Sequence, residues 1–332
     1  MGRRFDPDRA HVKNITVGSK GRNSEDDAFS IIVLCHKRTE HLRQVLDALS
    51  LCAGIEHASL VFVAHDSSES VLNLIEKSPF QRRVVLKVEK MNFVSSAHAI
   101  NHNLFLGLKF GFINNNSLFC CVVEDDTILA KDALEFMRSC LMKYGNDKRF
   151  RGINSYSLNV NEQCGKGDVV KINYGLGQGW CIDRKNYSRL LEFWTGLEKT
   201  HWDYFVEPFI RTGYVISPFY SRVKNIGFDS TGSHTRSPDE FSRLMEKSYL
   251  LGNRAHDNGI REVGFPYFHT RKDLIVLSNL GIIKINLIYL LRDISFKLYL
   301  MASLGKPKIH YLWRITRNFI DRKFANVSTN YQ

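Results

Sequence analysis

Three consecutive carboxylates, Glu124-Asp125-Asp126, close an apolar run from Leu118 to Val123. Set together at the end of a buried strand, they would repel one another unless a cation sits among them. Their oxygen ligands select a hard divalent ion, Mn²⁺ or Mg²⁺, which would in turn hold phosphates. The other reading is a solvated acidic turn after a core strand. A second apolar run, Phe29 to Leu34, ends in Cys35-His36-Lys37-Arg38, which adds cationic side chains. Gly175-Leu176-Gly177-Gln178-Gly179-Trp180 sets three glycines around one tryptophan. It reads either as a pocket wall with Trp180 as a stacking platform, or as a turn followed by a core tryptophan. His201-Trp202-Asp203-Tyr204-Phe205 embeds one acid among aromatics. Such an acid has a raised pKa unless paired and suits general-base work; Asp203 is equally placed to cap a helix over Tyr204 to Thr212. Asn225 to His234 is a loop rich in glycine and hydroxyls. His234 could close over a ligand or reach a metal, or could simply be exposed.

Alternating elements must position these groups. The apolar runs at Phe29–Leu34, Leu60–Ala64, Val84–Val88 and Leu118–Val123 predict buried strands. Between them, helical spacing predicts a helix that starts at an N-cap Thr39 and buries Leu42, Val45, Leu46 and Leu49. A short helix carries Val71, Leu72 and Ile75. A longer one, Ser95 to Phe112, turns Ile100, Leu104 and Leu108 inward. Lys131 to Tyr144 is amphipathic, with Leu134, Met137, Leu141 and Met142 on the apolar side. Strands alternating with helices mean an α/β fold with a mostly parallel, Rossmann-like sheet flanked by helices. Ligands of such sheets bind beyond the carboxyl ends of the strands. No G-x-G-x-x-G and no Walker lysine loop follows the first strand, so phosphate handling falls to a metal and to basic side chains such as Arg38.

At 332 residues the chain can bury one large or two modest domains, and 44% hydrophobic with 12% aromatic residues are globular values. Seven cysteines without framework spacing point to a reducing compartment and to small buried hydrophobes. Met1 to Glu25 is polar with no apolar signal stretch, and no run of about 18 uninterrupted apolar residues predicts a membrane span. The net charge is +12, and Leu274 to Gln332 holds nine Lys/Arg against two Asp. That balance suggests an anionic partner.

The ordered set Ile31 to Arg38, His65-Asp66, Glu124-Asp125-Asp126, Gly177-Gln178-Gly179-Trp180, His201-Trp202-Asp203 and Asn225-Ile226-Gly227-Phe228 resembles the GT-A fold inverting glycosyltransferases. Within that class it is most similar to the N-acetylglucosaminyltransferase I type and to bacterial relatives that build cell-surface glycans. The resemblance covers about Phe29 to His234. It implies that Arg38 contacts the donor diphosphate and that Asp66 accepts the uracil N–H, favouring a UDP-sugar. It implies that Glu124 and Asp125 hold the donor sugar and ribose, that Asp126 binds Mn²⁺ or Mg²⁺ directly, and that Asp203 deprotonates the acceptor hydroxyl. Trp180 and Gly179 would shape the acceptor side, with His234 a further metal ligand. A diphosphate leaving group needs a cation to take up its charge, and one base on the opposite face of the sugar gives single displacement with inversion. Two departures stand out. The animal enzymes carry a Golgi anchor, and they have a second acid where this chain has Asp203-Tyr204.

Three parts follow from this reading: a polar N-terminal segment 1–28, a catalytic domain 29–234 and a basic helical region 235–332. In the last, Ile282 to Met301 and Ile309 to Phe324 read as helices mixing Lys/Arg with aromatics. They could lie on an anionic membrane beside a glycan or lipid-linked glycan acceptor, or pack on the catalytic domain. The expected location is cytoplasmic, at the inner membrane face. No nucleic-acid motif accompanies the charge, so no nucleic-acid partner is expected. The competing enzyme is a nucleotidyltransferase, which would want a glycine-rich loop after the first strand. A binding module that has lost turnover is the remaining alternative.

Overall fold

The structure, a computed structural model, describes residues 12–18, 29–89, 93, 96–157, 165–172, 177–194, 203–228, 240–254 and 259–262. The expectations for Gly175, His201, Trp202, His234 and the two C-terminal helices lie outside the described residues. Met1–Tyr267 forms one compact unit and Phe268–Gln332 a second.

Four parallel strands form the heart of the first unit. They are β2 (Phe29–Cys35), β3 (Ser59–His65), β4 (Arg83–Val88) and β5 (Phe119–Glu124). Their order across the sheet is β4-β3-β2-β5. Ile31, Ile32, Val33, Val61, Phe62, Val63, Cys120, Cys121 and Val123 lose all or nearly all contact with solvent. A parallel strand covered on both faces must be apolar at consecutive positions, which is why these segments read as unbroken runs and not as alternations. β1 (Val12–Gly18) adds antiparallel to β4. On the far side come β9 (Trp180–Asp183), β7 (Phe150–Ile153), β10 (Tyr214–Pro218), β8 (Asp168–Ile172) and β12 (Arg261–Glu262), in that order. β9 runs antiparallel to β5, so the sheet is parallel at its centre and mixed beyond it.

The helices follow the spacing of their apolar residues. α1 (Thr39–Ser50) buries Leu42, Val45, Leu46 and Leu49, as its sequence demands. Its N-cap is Arg38 and not Thr39, and no side chain caps it. The Arg38 side chain is drawn away to carboxylates across the sheet edge, and Thr39 becomes the first helical residue. α2 (Glu69–Glu76) is capped by Ser68, whose oxygen accepts from Val71 N. α3 (Ser96–Lys109) ends in a π turn, Phe110–Asn114. α4 (Ala133–Tyr144) buries Leu134 and Met137, but Met142 is 77% exposed, so the apolar face is narrower than its sequence suggests. Leu118 is 60% exposed and precedes its strand. α5 (Arg184–Phe193), α6 (Asp203–Arg211) and α7 (Glu240–Arg254) complete the described helices. A separate hairpin pairs β6 (Thr127–Leu129) with β11 (Val223–Asn225), and α7 is tied to it by the Lys224–Glu246 ion pair at 2.7 Å.

Six cysteines among the described residues are buried free thiols. Burial, with Asp132 adding to it at Cys52, pushes Cys52 up to about 12, and burial pushes Cys140 up to about 12. Neither is a nucleophile at neutral pH. No helix among the described residues is long and apolar enough to cross a membrane.

Candidate functional site

The chain runs β2, β3, β4 outward in one direction, then returns to place β5 on the other side of β2. That reversal is a topological switch point, where the loops after β2 and β5 diverge and open a crevice. Leu34 on β2 stands opposite Glu124 on β5, so the basic loop after one strand and the acids after the other emerge side by side. The sheet therefore brings Arg38 to Asp125 and Asp126.

The guanidinium of Arg38 spans both acids. Nη2 pairs with Asp125 Oδ1, and Nη1 lies 2.8 Å from Asp126 Oδ2. The three side chains are 21%, 6% and 9% exposed. The backbone N–H of His36 donates to the other Asp125 oxygen at 3.2 Å, so this carboxylate also clasps the loop after β2. Burial raises the Asp125 pKa, with Asp126 adding to it, and Arg38 only partly offsets the rise. Burial by itself would lower the Arg38 pKa; Asp125 and Asp126 overcome that and raise it. Both directions hold together because one cation serves two acids. One cation among these carboxylates is thus the guanidinium of Arg38.

The hairpin of β6 and β11 covers Asp126. Thr127 pairs with Asn225, and Ile226 N donates to the Asp126 carbonyl at 2.9 Å. Gly227 then crosses directly over the carboxylate. A Cβ at Gly227 would collide with Asp126 Oδ2 and lie 2.9 Å from Arg38 Nη1. Only glycine lets the backbone approach this closely. The Gly227→Ala substitution is expected to push the Asp126 carboxylate off Arg38. The expected cost is about 1–3 kcal/mol in urea unfolding, the range for an overpacked site. Unchanged stability would show that the close approach is not maintained in solution.

The remaining residues take distinct places. Asp66 follows β3 in a left-handed conformation, φ 43°, and pairs with Lys37 Nζ at 2.8 Å. Lys37 is 57% exposed, so this pair contributes little to stability. Glu124 is the half-buried last residue of β5. Trp180 is 3% exposed in β9, opposite Val122, a core position. Gly179 takes φ 59°, and a Cβ there would press within 2.6 Å of Val223 Cγ1, so glycine is required for two reasons. Asp203 opens α6.

An array of rings beside Asp66 was not legible as a site in the sequence. His36 stacks on His65 with centroids 5.4 Å apart, and Phe93 meets His65, His98 and His102 at 5.2, 5.0 and 5.3 Å. Desolvation, then His36, lowers the His65 pKa, and desolvation lowers that of His102. Both are neutral at physiological pH. Only the abundance of histidine after β2, at the end of β3 and along α3 hinted at this surface, since the rings are far apart in sequence.

Asp125 and Asp126 offer hard oxygen donors at one point, and Mg²⁺ or Mn²⁺ commonly needs only one or two carboxylates when phosphates and water complete its shell. The donor chemistry therefore fits such an ion. Among the described residues no group of three or more His, Cys, Asp or Glu could hold one without further ligands.

No family model and no curated protein matches the chain. Among solved structures it is similar to Staphylococcus aureus TarS at 15% identity and a TM-score of 0.42, over 67% of this chain and 38% of that one. TarS 1-349 aligns at 14% identity and a TM-score of 0.41, over 68% and 66% of the two chains. The mannosyltransferase PcManGT from Pyrobaculum calidifontis, in complex with GDP-Man and Mn²⁺, aligns at 14% identity and a TM-score of 0.39, over 92% and 87%. The chain thus spans well under half the length of the first of these.

Proposed function

We propose that this protein is a metal-dependent, inverting glycosyltransferase. It moves a sugar from a nucleotide-sugar, a UDP-sugar by the place of Asp66, to a hydroxyl of a glycan or lipid-linked glycan. The observation that carries the reading is the meeting of Arg38, Asp125 and Asp126 at the switch point of the sheet. A crevice there suits a nucleotide, and a guanidinium beside paired carboxylates suits a diphosphate and its counter-ion. Asp126, with Asp125 beside it, would hold Mn²⁺ or Mg²⁺, which when bound supplies positive charge to the leaving diphosphate. Arg38 adds a bidentate donor for the same phosphates. The ring surface of His36, His65 and Phe93 offers stacking to a base whose imide N–H meets Asp66. Asp203, at the start of α6, takes the proton from the acceptor oxygen.

The test is thermal stability of the full chain against a panel of nucleotides and nucleotide-sugars, each with and without Mn²⁺. A ligand at a hundred times its Kd stabilises by about 2.7 kcal/mol, which for a chain of this size is a rise of about 5 °C. The expected result is such a rise with UDP or a UDP-sugar, dependent on Mn²⁺. No rise with any nucleotide, metal present or absent, would remove the donor site. A rise with a nucleoside triphosphate alone would favour the nucleotidyltransferase.

A further inference from the structure

We propose that Arg38 is a placeholder cation. With no nucleotide bound, its guanidinium occupies the place between Asp125 and Asp126 that a divalent ion needs, and the ion is admitted only when a diphosphate takes the guanidinium over. The inference rests on the nucleotide-sugar reading and adds to it an order of assembly.

The geometry is that of an occupied site. Each carboxylate turns one oxygen to Arg38, Asp125 through Nη2 and Asp126 through Nη1 at 2.8 Å. The second oxygens are engaged within the protein. Asp125 Oδ2 accepts from His36 N at 3.2 Å, and Asp126 Oδ1 faces the Thr127 hydroxyl at 3.5 Å. An ion bridging the two carboxylates through the oxygens that face Arg38 would have to displace it. Gly227 backs the pair so closely that a single added carbon would strike both partners.

Charge decides the exchange. Two buried carboxylates need a cation at all times, since an unpaired charge in a low-dielectric place is costly. A divalent ion arriving alone must strip off a guanidinium already seated in a bidentate grip. In return it gains two carboxylates, and the described residues supply no third His, Cys, Asp or Glu to complete a site. A diphosphate alters both sides of that balance. It gives the guanidinium another planar, bidentate anion, and it gives the ion further oxygen ligands. With guanidinium and ion both present against two carboxylates, the site has one net positive charge to set against the diphosphate. Ion and nucleotide therefore bind with positive coupling, and each raises the affinity of the other by the same factor.

Mn²⁺ binding to the full chain tests this, read from the electron paramagnetic resonance signal of the free aquo ion, with and without UDP and with no acceptor or turnover. Wild type is expected to bind Mn²⁺ weakly alone and at least tenfold more tightly with UDP. Arg38→Met, which keeps length and loses charge, is expected to bind Mn²⁺ alone at least tenfold more tightly than wild type, with UDP raising that affinity by a smaller factor than in wild type. Arg38→Lys keeps a charge and so protects the fold, but offers a point donor in place of a fork. It is expected to move the same way, by about threefold. If Mn²⁺ binds both variants no more tightly than wild type when UDP is absent, Arg38 does not hold the ion's place and the inference fails. Should Arg38→Met not fold, the outcome with Arg38→Lys decides alone. If wild type takes up no Mn²⁺ even with UDP while the variants bind it tightly, the placeholder stands and the donor reading falls.

Discussion

Asp126→Asn is expected to abolish the stabilisation by UDP with Mn²⁺ and to reduce sugar transfer by at least about a hundredfold. The substitution keeps the shape of the side chain and its contact with Arg38 Nη1, and removes one negative charge. Asp126 lies under the backbone that follows β11, with Ile226 N on its carbonyl and Gly227 over its carboxylate. Its position is therefore fixed and its side chain is 9% exposed. An ion held there loses one of two carboxylates in a place where water cannot readily substitute. Stability should fall far less. Arg38 keeps Asp125, so the loss is on the order of one charged hydrogen bond, about 2 kcal/mol. Calorimetry on the free and UDP-plus-Mn²⁺ forms separates the two effects. A variant that still gains the full ligand-induced rise would sink the metal role of Asp126.

The second large effect is expected at Asp203. Asp203→Asn should leave the UDP-plus-Mn²⁺ stabilisation intact and lower transfer to acceptor by about 10²- to 10⁴-fold, the range for a positioned general base. The residue opens α6, at the edge of a sequence otherwise rich in aromatics. Binding of the donor should not depend on it, because the proposed donor site is built from groups after β2, β3 and β5. Turnover is the discriminating quantity, measured as kcat with acceptor saturating, alongside slow hydrolysis of the donor. Near-normal kcat would remove Asp203 as base and leave it the helix-capping role its sequence position also allows.

The contrast between Arg38 and Trp180 shows where sequence reasoning reached and where it stopped. The acids were legible because an apolar run ending in three carboxylates conflicts with burial unless some cation resolves it. The sequence pointed to a divalent ion there and did not place a basic side chain beside it. Arg38 and Asp126 are 88 residues apart, and only the return of β5 to the side of β2 brings the guanidinium to the acids. Trp180 was open to two readings because a strand flanked by glycines looks the same from either side. Its pairing opposite Val122 put it in the core. Met142 and Leu118 were read as apolar and inward, yet both are exposed. Periodicity marks a face, but where that face ends depends on what packs against it.

By itself, the sequence determined the local periods: continuous apolar runs for the covered strands, helical spacing for α1, α2 and α4, and the alternation that forces a parallel centre. These follow from burial acting on neighbours in the chain, so they are written locally. It determined too that acids and basic residues must lie at strand ends, because nothing in the core could hold them. The tertiary structure alone decided which ends met. Strand order set the switch point, the hairpin of β6 and β11 laid Gly227 over Asp126, and scattered rings from the loop after β2, the end of β3, the approach to α3 and α3 itself were gathered beside Asp66. Those outcomes depend on contacts between residues tens of positions apart, whose energies a one-dimensional pattern does not encode.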